Sequence, residues 1–253
     1  DKRPKFFLAE NVSGMLLQRH SQALENIKQL FDECGYNLFF TIVNAADYGV
    51  PQKRERVFIV GFRSDLQQPW SFPKPTHSEL SLQYAQWVSG HYWEEHKISR
   101  ANVPPAPRDL SDKLQQKPLL MSSRWQTVRD AISDLPDPRS SEASEIPGHR
   151  YQPGAKSYPG HTGSPWDLPA KTLKAGDHGV PGGENMVQNL DGSVRYFTVR
   201  ESARIQTFPD TYIFPSSWTE SMRQIGNAVP VRLASVVARS VKSALQSHQM
   251  LSN

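Results

Sequence analysis

Asn37-Leu38-Phe39-Phe40-Thr41-Ile42-Val43-Asn44 and, after eleven intervening residues, Arg56-Val57-Phe58-Ile59-Val60-Gly61 are two apolar runs of strand length, rich in β-branched and aromatic residues. The turn around Asp47-Tyr48-Gly49-Val50-Pro51 is short enough to make them antiparallel neighbours, a hairpin at a sheet edge. Upstream, residues 13 to about 33 carry Met15, Leu16, Leu24, Ile27, Leu30 and Phe31 at helical spacing, with Cys34-Gly35 as a stop. Lys5-Phe6-Phe7-Leu8-Ala9 reads as a buried strand ended by the polar pair Glu10-Asn11. Strand, helix, strand, turn, strand is the pattern of the end of an α/β sheet.

Beyond residue 62 the pattern changes. Clusters of Pro, Gly and Ser, including Pro104-Pro105-Ala106-Pro107, mark a loop-rich insertion in a chain with 20 prolines. Within it only residues 127–135 read as a helix, with Thr127 or Ser123 as the cap. Residues 200–207 then predict a short helix and residues 235–245 an amphipathic one, with Val236, Val237, Val241 and Leu245 inward.

Charge and cysteine content narrow the chemistry. No apolar run approaches membrane-spanning length and no signal-peptide pattern opens the chain, so the reading is of a soluble cytoplasmic protein without a membrane partner. One cysteine, Cys34, excludes an intrachain disulfide and multi-cysteine zinc sites, and no metal is expected. His91 and His96, with Glu94 and Glu95 between them, lack the helical i, i+4 spacing and read as solvated surface. Five of the six tryptophans, Trp87, Trp93, Trp125, Trp166 and Trp218, could stack on bases, but most read as core or loop anchors. The net charge of +4 permits nucleic-acid binding without arguing for it: residues 63–195 hold 15 basic and 15 acidic side chains.

Three segments carry candidate chemistry. Glu10-Asn11-Val12 puts a carboxylate at a strand end, where α/β sheets bind ligands, although a helix cap is an alternative. In Pro51-Gln52-Lys53-Arg54-Glu55-Arg56, alternation sets Gln52, Arg54 and Arg56 on one face, able to grip a base edge or phosphate. A charge-blunted edge strand would give the same pattern. Gln224-Ile225-Gly226-Asn227-Ala228-Val229-Pro230-Val231 reads as a glycine-asparagine turn that allows close backbone approach and offers both amide atoms of Asn227.

In order and context these segments resemble the DNA cytosine-5 methyltransferase family. Glu10-Asn11-Val12 follows a strand, and Gln52-x-Arg54-x-Arg56 leads into Val57-Phe58-Ile59-Val60-Gly61. After a long variable region come Arg200-Glu201-Ser202-Ala203-Arg204-Ile205-Gln206-Thr207-Phe208-Pro209-Asp210 and Gly226-Asn227-Ala228-Val229-Pro230. The resemblance covers nearly the whole chain. It implies an α/β fold: residues 1–62 as the end of a Rossmann-like, S-adenosylmethionine-dependent methyltransferase sheet, and about 63–195 as a loop-rich, mixed target-recognition domain. Residues 196–253 would hold the late motifs and a final helix returning to the catalytic domain.

What the resemblance implies for function is methyl transfer from S-adenosylmethionine to carbon 5 of a flipped cytosine in a specific sequence of double-stranded DNA, as in restriction-modification systems. Glu10 would engage ring nitrogen 3 and the exocyclic amine, and Arg56 would donate to oxygen 2. Arg54, with Asn11 and Gln52, would support the base pocket, and Asn227 with Ala228 would help close the cofactor site. The family's cofactor loop and its Pro-Cys nucleophile precede Glu-Asn-Val, and only nine residues precede Glu10 here. Cys34, near a helix end and without an adjoining proline, is not that cysteine and reads as a small buried or semi-exposed thiol. The expectation is therefore a C-terminal portion, inactive by itself, whose partners are DNA and an upstream catalytic segment or subunit, localised with the DNA (nuclear if eukaryotic). The alternative is a non-catalytic, sequence-specific DNA-binding module derived from such an enzyme.

Overall fold

The computed structural model describes residues 2–16, 18–66, 70–110, 122–175 and 185–251, which fall into two compact units. The first comprises Asp1–Ala45, Arg54–Lys74 and Leu233–Asn253; the second comprises Ala46–Lys53 and Pro75–Arg232. Residues 196–232 thus group with the loop-rich region, and only the chain from Leu233 onwards groups with the first strands.

The first unit is built on a three-stranded sheet of β1 (Phe6–Val12), β2 (Tyr36–Asn44) and β3 (Glu55–Arg63), in the order β1-β3-β2. Both neighbours run antiparallel to β3, so the hairpin strands do pair, but β3 is the central strand and β2 the flanking one. A charge-blunted edge is therefore not the explanation of the arginines that enter β3. β1 also runs further than its apolar run: the ladder pairs Glu10 with Phe58, Asn11 with Val57 and Val12 with Arg56, so Glu-Asn-Val belongs to the strand. Backbone pairing along a central partner outweighs the polar side chains there.

Between β1 and β2, helix α1 is shorter than its apolar spacing suggests, spanning Ser21–Glu33. Residues Ser13–Leu16 and Gln18–His20 form 3-10 turns, and His20 provides no side-chain cap. Gly14 in this stretch disfavours a continuous helix. The stop is as expected, with Gly35 at φ +78° and its N–H donating to the Asp32 carbonyl. Cys34, beside it, is exposed rather than buried. Phe7 stacks on Phe31 with ring centroids 4.5 Å apart and lies over Gly61, where a Cβ would meet its ring at 2.1 Å. Only glycine fits there. On the other face Phe62 meets Phe39 and Trp70, and the Trp70 indole donates to Ser240 Oγ. Ser240 belongs to the final helix, Val231–Leu251, which is longer than its amphipathic core and buries Leu233, Val237 and Val241.

In the second unit, helices at α2 (Glu79–Trp87) and α3 (His91–Glu95) are not evident from periodicity. α2 buries only Leu82 and Gln86, too few positions to print a 3.6-residue pattern. The expected helix is α4 (Val128–Ile132), with Thr127 as cap in a reciprocal box with Asp130. α5 (Val199–Ile205) has the same device in Thr198 and Glu201. α6 (Trp218–Asn227) is also unexpected, and makes the final helix α7. Two small sheets, β4-β5 (His77–Ser78 and Ser123–Arg124) and β6-β7-β8 (Ser164–Pro165, Met186–Gln188 and Val194–Tyr196), complete the unit. Its core gathers Val128, Ile132, Leu173, Phe197, Met222 and Ile225, while Trp93 and Trp125 anchor a second cluster around Tyr92. No helix among the described residues is long and apolar enough to cross a membrane.

Candidate active site

The first unit brings Glu10, Arg54 and Arg56 together. Glu10 on β1 is the diagonal neighbour of Arg56 on β3, since Glu10 faces Phe58 and Arg56 faces Val12 on one side of the sheet. Glu10 Oε1 lies 2.9 Å from Arg56 Nε, an ionic contact without aligned hydrogen-bond geometry. Both side chains are largely buried, at 19 % and 15 % exposure. Arg56 also donates from Nη1 to the Glu55 carbonyl at 2.7 Å. Arg54 is 2 % exposed, and its backbone N–H and carbonyl are fixed by Asn44 Oδ1 and the Ala45 N–H. Burial, then the nearby Arg56 charge, pushes the Arg54 pKa down to about 10, with Glu10 pulling the other way. A desolvated guanidinium still charged at neutral pH, next to a second guanidinium and a carboxylate, can bind a group that presents both acceptors and donors.

The alternation read from sequence is visible as burial: Gln52 and Arg54 are buried and Arg56 half-buried, whereas Lys53 and Glu55 are exposed. Asn11 has a local role, its Oδ1 accepting from the Val12 N–H at 2.8 Å, and it borders a cavity of about 390 Å³ lined by Met15, Leu24 and Ile27.

Gln52 and Asn227 belong to the second unit. Gln52 pairs in parallel with Ala170, and its side-chain oxygen accepts from the Leu173 N–H at 2.9 Å, while its buried Nε2 finds no acceptor among the described residues. The glycine-asparagine segment differs from the expected turn. Gly226 and Asn227 are the last residues of α6, and the chain turns at Ala228, which is extended. Gly226 is needed for close approach, not for a left-handed conformation: a Cβ there would meet the Ala175 nitrogen at 2.3 Å. Asn227 is exposed, and neither amide atom is engaged by a described residue.

Sequence reasoning missed the residues that hold this segment. Gln206, fully buried, donates from Nε2 to the carbonyls of Ile225 at 2.7 Å and Ala228 at 3.3 Å, and its own carbonyl accepts from the Val231 N–H. Thr207, at φ +60°, turns its hydroxyl to accept from the Arg232 N–H at 2.9 Å. Two orphan donors at the start of α7 are thereby satisfied by the segment after α5. Arg232 in turn donates to the Gly49 carbonyl in the turn before Gln52. The segment Arg-Glu-Ser-Ala-Arg-Ile-Gln stands out in the sequence, but its partners lie some 20 residues away and leave no local signal.

Glu95, His96 and Asp130 bring ligand atoms within 4.8 Å of one another. His96 is thus not solvated surface: it bonds Asp130 at 2.9 Å with its side chain 11 % exposed. Arg124 takes both oxygens of Asp130, at 2.6 and 2.8 Å, and Glu95 at 3.0 Å, so a guanidinium already supplies the positive charge. The group is an ion-pair network around the α4 cap.

A family model described as C-5 cytosine-specific DNA methylase matches residues 1–243. The chain is 35% identical to the Type II methyltransferase M.NgoPII of Neisseria gonorrhoeae over 97% of its length and 67% of that protein's. It is 31% identical to M.MthTI of Methanothermobacter thermautotrophicus, over 97% of this chain and 68% of that one. It spans about two thirds of both relatives. Among solved structures, S. pombe Dnmt2 methyltransferase aligns with a TM-score of 0.52 and 18% identity, over 96% of this chain and 68% of that one. A putative DNA modification methyltransferase encoded within an E. coli prophage aligns with a TM-score of 0.53 and 21% identity, over 96% and 70%. These likenesses support the mixed α/β fold. With the ordered segments around Glu10, Arg56 and Asn227, they identify the chain as a member of the C-5 cytosine-specific DNA methylase family.

Proposed function

We propose that this chain is the base-holding and target-reading C-terminal portion of a DNA cytosine-5 methyltransferase of the restriction-modification kind, and that the nucleophilic cysteine comes from polypeptide outside these 253 residues. The observation that carries the reading is the Glu10–Arg56 pair beside the buried Arg54, all on or entering paired strands.

Carbon 5 of cytosine is a poor nucleophile, and a thiolate adding to carbon 6 makes it an enamine able to attack a methyl donor. In this reading Glu10 hydrogen-bonds ring nitrogen 3 and the exocyclic amine of a cytosine flipped from the duplex. Arg56 donates to oxygen 2, where charge accumulates as the thiolate adds. Arg54 holds the local field positive, and Asn11 and Gln52 have supporting roles. S-adenosylmethionine supplies the methyl group when bound, and Asn227 and Ala228 are the part of its site in this chain. Residues 63–195 serve as the target-recognition domain.

The test is methyl transfer to duplex DNA by the complete enzyme. Loss of one preorganised donor costs about 100- to 1,000-fold, so Arg56→Ala is expected to lose activity on that scale while Glu10→Gln also falls. Full activity in both would contradict the assignment.

A further inference from the structure

Residues 146–166 of the second unit contain no Asp or Glu but do contain His149, Arg150, Tyr151, Lys156, Tyr158, His161 and Trp166. Residues 63–195 as a whole balance at 15 basic and 15 acidic side chains, so this stretch, with Arg150 and Lys156 and no carboxylate, is a local excess of positive charge along the chain. The gap coincides with a loop fastened firmly at both ends. At its start His149 is fully buried, its ring nitrogens bonded to Thr198 Oγ1 at 2.9 Å and the Pro136 carbonyl at 2.8 Å. The neighbouring carbonyls of Pro147 and Gly148 accept from Arg200. At its end Ser164 is fully buried in β6, and Gly163, at φ +79°, packs tightly, since a Cβ there would lie 3.0 Å from the Gln188 nitrogen.

Between these anchors the chain is exposed and shaped by turns. Tyr158-Pro159-Gly160-His161 closes on itself through N–H to carbonyl bonds in both directions, with Gly160 at φ +83°. Pro followed by a left-handed Gly is the signature of a type II turn. The Tyr158 and His161 rings meet edge to face across it at 4.7 Å, and the Arg139 guanidinium lies 4.7 Å from the centre of Tyr151. A Cβ added at Gly154 or Gly160 would meet nothing within 4 Å, so these glycines serve the backbone path and not packing. Arg150 and Lys156 are exposed, and among the described residues neither forms an ion pair.

We propose that the loop 150–162 is a duplex-DNA contact, with Arg150 and Lys156 pairing with backbone phosphates and Tyr151 and Tyr158 lying against the sugar-phosphate backbone between them. The inference rests on the methyltransferase reading and adds to it the element that grips the substrate. Anchored loops carrying exposed cationic and aromatic side chains suit contact with phosphates and sugars, and phosphate contacts set the register in which bases are read.

The test is binding of the 253-residue chain to a fluorescent random-sequence duplex across a salt series. Each phosphate contact contributes about 0.9 to the slope of log K against log salt, so Arg150→Ala with Lys156→Ala is expected to reduce it by about 1.8 and weaken binding about tenfold. Arg150→Lys with Lys156→Arg should keep the slope. Arg239→Ala with Lys242→Ala, which removes two exposed charges from α7, should leave the slope within about 0.3 of wild type beyond general charge effects. Tyr151→Ala is expected to weaken binding without changing the slope. If the chain binds and the loop pair keeps its slope, or the α7 pair loses as much, the loop is not the contact and the methyltransferase reading stands. If the chain binds no duplex at about 50 mM salt, the loop proposal is overturned, whereas the methyltransferase reading is decided by methyl transfer in the complete enzyme.

Discussion

The two units hold their polar groups for different purposes. In the second unit, buried charges are fully engaged in structure: Arg195 and Glu201 form a bidentate pair with both distances 2.7 Å, and Glu201 also receives the Thr198 N–H as part of the α5 cap. Arg129 holds Asp167 through two bonds, and Tyr92 donates to the same carboxylate. In the first unit, Glu10 Oε1 and Arg56 Nε approach to 2.9 Å without forming an aligned hydrogen bond. α1 buries no residue, and Phe6, Leu8 and Val12 on β1 are exposed. Saturated networks resist change, whereas loosely matched charges beside a buried cation remain available to a ligand. The difference fits a second unit built for stability and, in the proposed reading, a first unit that holds the base.

The largest effect expected from that contrast is in the second unit. Glu201→Ala leaves Arg195 buried without its partner and removes the α5 capping box, a loss of about 3–5 kcal/mol readable by denaturant unfolding. A loss below about 1 kcal/mol would mean that the pair behaves like a surface ion pair and the contrast fails. An intermediate effect follows from Asp130. Burial works to raise its pKa, but hydrogen bonds from Arg124 and Thr127 outweigh it and hold the carboxyl below the ordinary range. Its folded pKa is below its unfolded one, so its contribution is complete above about pH 4 and is lost as pH falls through the folded value. Asp130→Asn should therefore lower the thermal midpoint near neutrality and flatten its decline in acid. The smallest effect is in the first unit: Arg56→Ala should change stability by about 1 kcal/mol or less, because the pair it breaks is a loose one.

What the sequence made legible followed the same division. β3 announces itself because a strand buried on both faces needs a continuous apolar run, and Val57, Phe58 and Val60 are fully buried; β2 is legible from its aromatic and β-branched residues although it is only partly buried. The alternation of Gln52, Arg54 and Arg56 survives as alternating burial because a strand repeats every two residues. Register does not show: the extension of β1 through Glu10 and Val12 depends on what β3 offers opposite, not on the apolarity of β1 itself. α2, α3 and α6 escape for a related reason, since short helices capped by Ser78 or Ser217 gain their stability from tertiary contacts. Gln206 and Thr207 carry no local mark of their duty at the end of α6 and the start of α7, because their partners are fixed only by the folded chain.

The measurement that bears most directly on the central claim is incorporation of labelled methyl groups from S-adenosylmethionine into duplex DNA, by this chain alone and by the same chain joined to the cysteine-bearing segment of the complete enzyme. The account predicts transfer only in the joined form, abolished there by Arg56→Ala. Robust transfer by the 253-residue chain alone would contradict it.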